Sequence, residues 1–458
     1  MTYSEAIQFL YDLRWFGTKF GLANTSKLAA LAGNPQNRLR FIHVAGTNGK
    51  GSTCAMLDSI YRAAGMRVGL FTSPHLVAFG ERIQVNRQAV SEAEVIRLVE
   101  EMRDLMEQGW GGHGPGAQAP TAGGDSAPPA ATEHPTFFEA VTVMALRHFA
   151  AQQCDLVIWE TGMGGRLDAT NIVTPLASVI TNIQYDHQKW LGETLASIAF
   201  EKAGIIKPGI PVITGAHEPE ALRVIEDTAQ KRNSPLTLVP ISAMDRPPLD
   251  SLALPLLGRH QAMNAAVGLA AVRVLAPQIP VSDATIRDGL RRVEWPGRLQ
   301  VATRPSGQRI LLDGAHNIGG AEILAAALRE YFPDSKPALV LGILRDKDWP
   351  AMCQILAPLA GRILLVPVHS ERTAEPHGLA EVCARANPQA RVREFPSLAL
   401  ALADAARDPF VTIAGSLYLI GEAMELLGLS PAKPADERGL NEWSADPSTA
   451  YATPAAQD

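Results

Sequence analysis

A chain of 458 residues is long enough for two or three domains with sizeable cores, and its 47% hydrophobic content is ordinary for a globular protein. The formal net charge of -6 gives no general basic field, which excludes nucleic acid as an expected partner. No apolar run is long enough to span a bilayer, residues 1–17 lack a signal peptide's apolar core, and the four cysteines form no C-x-x-C pair; the expectation is a cytoplasmic protein with no membrane partner, no zinc site and no disulfide framework.

Residues 1–17 have the pattern of an amphipathic helix, and 17–40, polar and glycine-bearing, read as a loop. A short apolar strand at 41–44 is followed by helical spacing over 53–64. Between them lie Gly46, Thr47, Asn48, Gly49, Lys50, Gly51 and Ser52. Glycines let the backbone approach an anion, a helix N-terminus offers unpaired N–H groups, and Lys50 adds a point charge for terminal phosphates. This is a nucleotide-phosphate cradle for ATP. It departs from the general phosphate-loop pattern, because two residues separate Gly46 from Gly49 and a glycine stands between Lys50 and Ser52.

A second strand at 68–71 breaks at Thr72, Ser73, Pro74 and His75, which places polar side chains at the strand end where open α/β sheets bind ligands. Ser73 is a candidate magnesium ligand, and His75 and Arg82 are candidates to meet an anionic substrate. A helix at 91–108 carries a Ser91 cap and Glu94 at the capping-box position. Residues 109–135 are Gly, Pro, Ala and Ser with almost no apolar periodicity, and read as a disordered surface insertion.

A helix at 136–151 leads into the strand CDLVIWE, which delivers Glu160 to its C-terminal end. A carboxylate there, across from a phosphate loop, suits Mg2+, which takes one or two carboxylates together with phosphate oxygens. Asp168 and Asn171 either shape the glycine-dense loop that follows or contact substrate. The strand at 176–181 ends near Asp186 and His187 on the same expected edge, and a helix at 194–204 contains Lys202. Strand, helix and strand follow over 209–239, then a proline-rich crossing at 246–257, a long apolar helix carrying Asn264, and a helix at 282–293. Pro296-Gly297 is a natural hinge, and the domain boundary is expected there.

Beyond it, strands at 310–313, 338–342, 363–366 and 411–414 alternate with helices in a smaller Rossmann-like unit. It lacks G-x-G-x-x-G, so no dinucleotide is indicated. Its polar clusters fall at strand ends: Asp313, His316 and Asn317; Asp346 and Lys347; His369; and Ser416. Together they form a face that can close over a nucleotide held by the first domain. The expected division is 1–297, 298–429 and a tail at 430–458, polar, disordered and without chemistry.

The strings AGTNGKGST, TSPHL followed by ERI, EKAGIIK, and WPGR followed by DGAHN carry a resemblance. Together they resemble the folylpolyglutamate synthase and dihydrofolate synthase family, within the Mur ligase superfamily. The resemblance implies an α/β fold: an N-terminal P-loop ATPase-like domain with a mostly parallel sheet, plus a smaller C-terminal Rossmann-like α/β domain. It implies ATP-dependent amide ligation, in which a substrate carboxylate attacks the γ-phosphoryl of MgATP and L-glutamate then displaces phosphate from the acyl phosphate. By the same resemblance Lys50 is catalytic, and Lys202, carbamylated by CO2, acts with His187 near a second magnesium. Asn264 contacts adenine, Arg298, Asp313 and His316 approach ATP, and the 17–40 region helps cover a pteridine; Ser416, from its place at a strand end, is a candidate to bind substrate. The implied partners are ATP, L-glutamate and a folate or dihydropteroate, with both acceptors used, and a monomer is expected. A Mur-type ligase of cell-wall peptide, a P-loop kinase or ATPase, and a regulatory nucleotide-binding module are the rival readings.

Overall fold

The computed structural model describes residues 1–17, 20–111, 134–430 and 437–442. In chain order the first sheet contains β1 (Phe41–Ala45), β2 (Val68–Phe71), β3 (Ile83–Val85), β4 (Gln88–Ala89), β5 (Leu156–Glu160), β6 (Ala177–Ile180), β7 (Val212–Thr214) and β8 (Leu236–Leu238). These lie in the order β4-β3-β2-β5-β1-β6-β7-β8. All neighbours run parallel except β2 with β3 and β3 with β4. Every residue of β1, β2, β5 and β6 is buried, as expected where helices cover both faces of a parallel sheet.

Register decides where the site lies. Val44 of β1 is level with Glu160 of β5, Ala45 with Ile180 of β6, and Phe71 of β2 with Trp159. The loops that leave these four strands therefore emerge side by side along one edge. The helix Lys50–Ala63 starts directly from the β1 loop and packs beneath Arg259–Leu275 and Asp283–Arg291.

The second sheet holds β9 (Gln300–Thr303), β10 (Arg309–Asp313), β11 (Ala338–Leu341), β12 (Arg362–Leu365), β13 (Arg391–Glu394) and β14 (Phe410–Ala414). Its order is β13-β12-β11-β14-β10-β9, with β9 antiparallel to β10 and the rest parallel. Asp313 and Leu341 both pair with Ala414, so three central strands end level here as well. Among the described residues no helix is long and apolar enough to cross a membrane.

The apolar strands and most helices lie within a residue or two of their expected places; the departures are short or polar. β3 and β4 are three and two residues long, joined through Asn86 and Arg87, both at positive φ (50° and 66°). β9 and β13 are edge strands whose alternating or charged side chains mask them. The 17–40 region is not simply a loop. Ala23–Leu31 is helical with Leu28 and Ala29 buried, and Pro35–Arg38 forms a 3-10 turn.

Ser91 caps its helix as expected, accepting from the Glu94 backbone at 3.3 Å, but the Glu94 carboxylate turns to Arg97 and His148 and leaves the capping box half made. That helix runs Glu92–Trp110, so Gly109 and Trp110 belong to it, and His134 is buried against Phe16. The rest of the expected insertion, 112–133, lies outside the described residues, as do 431–436 and 443–458 of the expected tail. Residues 437–442 correct the expectation of a structureless tail. They carry a buried 3-10 turn, because Leu440 finds an apolar pocket and its polar neighbours find partners.

Trp159 sits at the centre of the first sheet with no exposure. Its ring lies 4.5 Å from Phe71 and 5.6 Å from Phe41, and its indole donates to the Thr170 carbonyl at 2.9 Å. Trp159→Ala is expected to lower the unfolding free energy by about 3–5 kcal/mol, read by urea denaturation, with Trp159→Phe losing clearly less. Equal stability of both variants and wild type would mean the aromatic cluster does not anchor the sheet.

Candidate active site

One cleft runs between the C-terminal edges of the two sheets. On its first side lie the 46–52 loop, Ser73, Glu160, His187 and Lys202, and on its second Arg298, Asp313 and His316.

The phosphate loop owes its shape to glycine. Gly49 caps the helix Lys50–Ala63 at φ 83°, and a Cβ there would lie 2.3 Å from Asn264 Oδ1. A Cβ on Gly51 would lie 2.8 Å from the Trp295 ring, so the unusual glycine between Lys50 and Ser52 lies against that indole. The loop is pinned to the β6 edge: Thr47 donates its backbone N–H to the Asn182 carbonyl at 2.9 Å, and Asn48 donates its own to Asn182 Oδ1 at 2.8 Å. Lys50 Nζ donates to the carbonyls of Gly46 and Thr47, and Lys202 Nζ also reaches Gly46 O, at 2.8 Å. Two lysine amines thus converge on one loop. Burial, and then Lys50, push the Lys202 amine down to about 7.

Glu160 is buried at the end of β5, where its Oε2 accepts from the Ser73 backbone at 2.9 Å. Burial drives its carboxyl up to about 7, against the pull of Lys50, the Ser73 N–H, Arg298 and Arg82. Among the described residues no three His, Cys, Asp or Glu side chains converge into a metal cage. A buried carboxylate beside a serine is nevertheless a donor set that fits Mg2+, whose shell is completed by nucleotide phosphates and water.

Asp186 joins the two sides. Lys347 Nζ lies 2.6 Å from its Oδ1, and Asn317 Nδ2 donates to Oδ2 at 3.0 Å. The His316 and His187 rings stand 3.7 and 3.8 Å from that same oxygen. Burial pushes the Asp186 carboxyl up, but His187, Lys347 and His316 outweigh it and hold the group well below the usual range. Burial lowers His187 well below its ordinary value and His316 to about 4, with Lys347 adding to both. Asn48 of the phosphate loop and Asn317 also bond directly, at 3.1 Å. Arg298 is buried beside Asp313, whose carboxylate accepts from the backbones of Leu299 and Ala315 at 2.8 and 2.9 Å.

Three expected substrate contacts lie elsewhere. His75 and Arg82 are buried behind Ser73 and Pro74, with Arg82 Nε donating to His75 Nδ1 at 2.8 Å and His75 Nε2 to the Glu437 carbonyl at 3.0 Å. Their hydrogen bonds go to each other and to residues 437–442, which leaves them off the cleft. Ser416 is buried as the cap of Leu417–Leu426, accepting from the Tyr418 backbone at 3.2 Å, while Leu417 lines the cleft in its place. Asp168 and Asn171 shape their loop, through bonds to Met163, Thr170, Arg166 and Gly204. Sequence reasoning did not single out Trp295, Asn182 or Gln184, whose Oε1 accepts from Asn48 Nδ2 at 2.7 Å; Trp295 stands in the quoted WPGR string, but the other two carry no motif.

Residues 44–234 match the family model described as Mur ligase middle domain, and 297–417 match Mur ligase, glutamate ligase domain. The dihydrofolate synthase/folylpolyglutamate synthase of Bacillus subtilis is 35% identical over 448 residues, covering 93% of this chain and 99% of the relative. The chain belongs to the folylpolyglutamate and dihydrofolate synthase family of Mur ligases. It is an ATP-dependent ligase. The Escherichia coli protein of the same name is 33% identical over 437 residues, covering 92% of this chain and 94% of that protein. The folylpolyglutamate synthase structure from Thermotoga maritima matches with TM-score 0.76 at 31% identity, covering 95% of this chain and 98% of its own. The structure described as E. coli FolC in complex with DHPP and ADP matches with TM-score 0.78 at 31% identity, covering 94% and 98%.

In a family member so built, Gly49→Ala is expected to weaken binding of a non-hydrolysable ATP analogue by about tenfold or more, measured by calorimetry, because the methyl meets Asn264 in a left-handed backbone. Unchanged affinity would mean the loop's shape does not depend on that glycine.

Proposed function

We propose that this chain joins L-glutamate to folate-type carboxylates: the acceptor carboxylate attacks the γ-phosphoryl of ATP, ADP leaves, and the glutamate amine displaces phosphate from the acyl phosphate. The observation that carries the reading is the phosphate loop facing Asp313, His316 and Asn317 across one cleft whose walls also hold Glu160 and Lys202. Phosphoryl transfer needs positioning and charge neutralisation more than a protein nucleophile. Lys50 and the 46–52 loop hold the phosphates, Asn264 lies at the adenine end, and Arg298 meets the charge from the opposite wall. Closure of the second unit onto the first keeps water from the acyl phosphate. The divide between the units falls at Pro296-Gly297, with 1–297 and 298–429 as the domains. A single chain supplies both walls, which supports a monomer.

Ser73 and Glu160 are the residues to hold Mg2+, with His187 and Lys202 at a second position. When bound, the ion neutralises charge on the transferred phosphoryl group. At about 7 the Lys202 amine is substantially deprotonated near neutral pH, the form that adds CO2 to give a carbamate. NMR of protein equilibrated with 13C-bicarbonate is expected to reveal a carbamate resonance that Lys202→Arg lacks. That variant is expected to lose about a hundredfold or more in kcat.

The pH dependence follows from Glu160. Its raised pKa of about 7 means the proton competes with the cation below neutrality, and the carboxylate is available above it. The Mg2+ concentration giving half-maximal rate is therefore expected to rise about tenfold from pH 8 to pH 6 in wild type, and to lose that dependence in Glu160→Gln.

The deciding experiment measures glutamate-dependent phosphate release with 7,8-dihydropteroate and tetrahydrofolate as separate acceptors, with mass spectrometry of the products. Gain of one glutamate on each is the expected result. The Bacillus and E. coli relatives carry both activities in their names, which supports use of both acceptors. No addition to either acceptor would overturn the proposal.

A further inference from the structure

Residues 437–442 sit between the two units, far from the Pro296-Gly297 connection in sequence, and touch both. Toward the first unit, Leu440 is 1% exposed in the core that also contains Leu10, Leu13 and Phe79. The Glu437 carboxylate accepts from the Phe79 backbone at 2.6 Å and from the Tyr3 hydroxyl at 2.9 Å. Asn441 accepts from Arg82 Nη2 and donates to the His75 carbonyl at 3.0 Å. Toward the second unit, Arg438 pairs with Glu425, and Glu442 Oε2 lies 3.0 Å from Arg372 Nε. Arg372 passes the connection on to Asp346 at 3.2 Å and to the Tyr418 hydroxyl at 3.1 Å.

The groups tied together stand directly behind the two walls of the cleft. His75 and Arg82 back the turn whose Ser73 N–H bonds Glu160. Asp346 precedes Lys347, which reaches across to Asp186. Burying two carboxylates, an amide and a guanidinium in this short segment costs free energy unless hydrogen bonds replace water, and each of the four side chains has at least one such partner here.

We propose that 437–442 is a second tether between the units and that Asn441 and Glu442 are positioning residues for the ligation. Asn441 fixes the His75–Arg82 pair behind Ser73 and Glu160, and Glu442 fixes Arg372 behind the Asp346–Lys347 loop. The tether sets how the second wall meets the first, so it acts on the rate of glutamate addition more than on capture of the nucleotide by the 46–52 loop.

The proposal rests on the ligase reading. Full-length Asn441→Ala, Asn441→Asp and Glu442→Gln are compared with wild type in steady-state ligation and thermal melting. Asn441→Ala is expected to lower kcat about tenfold while the KM for ATP stays within about twofold. Asn441→Asp keeps the acceptor for Arg82 and is expected to recover most of the rate. Glu442→Gln, at the other end of the tether, is expected to lower kcat in the same sense, and it carries the test if Asn441→Ala fails to fold. Variants that melt earlier but keep wild-type kcat while folded would reduce 437–442 to a stabilising strap and overturn the proposal. Variants indistinguishable from wild type would overturn it too. Wild type without glutamate addition would instead sink the ligase reading, whereas active wild type with unaffected variants sinks only the tether.

Discussion

Four parallel strands that end level with one another are the constraint on which this molecule depends. Backbone hydrogen bonding between β5, β1 and β6 sets Glu160, the phosphate loop and the 181–187 turn within reach of a single ligand, although 120 or more residues separate the outermost of them in the chain. Register in a parallel sheet cannot slip by one residue without turning each strand's side chains to the opposite face. The site's geometry is therefore secured by the same apolar burial that holds the core. Trp159, wedged among Phe41, Phe71 and Phe149 one residue before Glu160, links that burial to the chemistry.

The edge so formed sets Lys50 and Lys202 beside Glu160 and Asp186, and burial raises the stakes of each charge. Lys50 and Lys202 converge on Gly46, so burial and then Lys50 lower the Lys202 amine. Glu160 and Asp186 illustrate opposite outcomes of the same desolvation. Glu160 has distant cations and one backbone donor and is pushed up, whereas Asp186 has Lys347 in contact and two imidazoles nearby and is held down. Glu160 titrates near neutrality, whereas Asp186 is held well below the usual carboxylate range and joins the two walls.

Joining the walls is the task of groups drawn from remote parts of the chain. Asn48 with Asn317, and Asp186 with Lys347, cross the cleft itself, and 437–442 cross behind it. These are charge-assisted or amide contacts in places with little solvent. They hold one relative arrangement of the units together with an apolar contact, in which Leu76 and Val77 of the first unit join the core of Ile310, Leu312 and Ile420 in the second. That arrangement suits a ligase that must shut water out.

The sequence by itself determined what is local. Apolar runs marked the central strands, the Ser91 cap marked a helix start, and the glycines of 46–52 marked an anion cradle, because each depends only on neighbours within a few residues. Trp295 over Gly51, Asn264 over Gly49 and Lys347 on Asp186 were decided by tertiary structure, since each pairs residues more than a hundred positions apart. The same holds for His75 and Arg82, which read as candidates to meet an anionic substrate until the chain's last described segment is seen to cover them. The tail's composition is polar and proline-bearing whether or not it is ordered. Only the apolar pocket for Leu440 and the partners waiting for Glu437, Asn441 and Glu442, built from distant parts of the chain, give it a place.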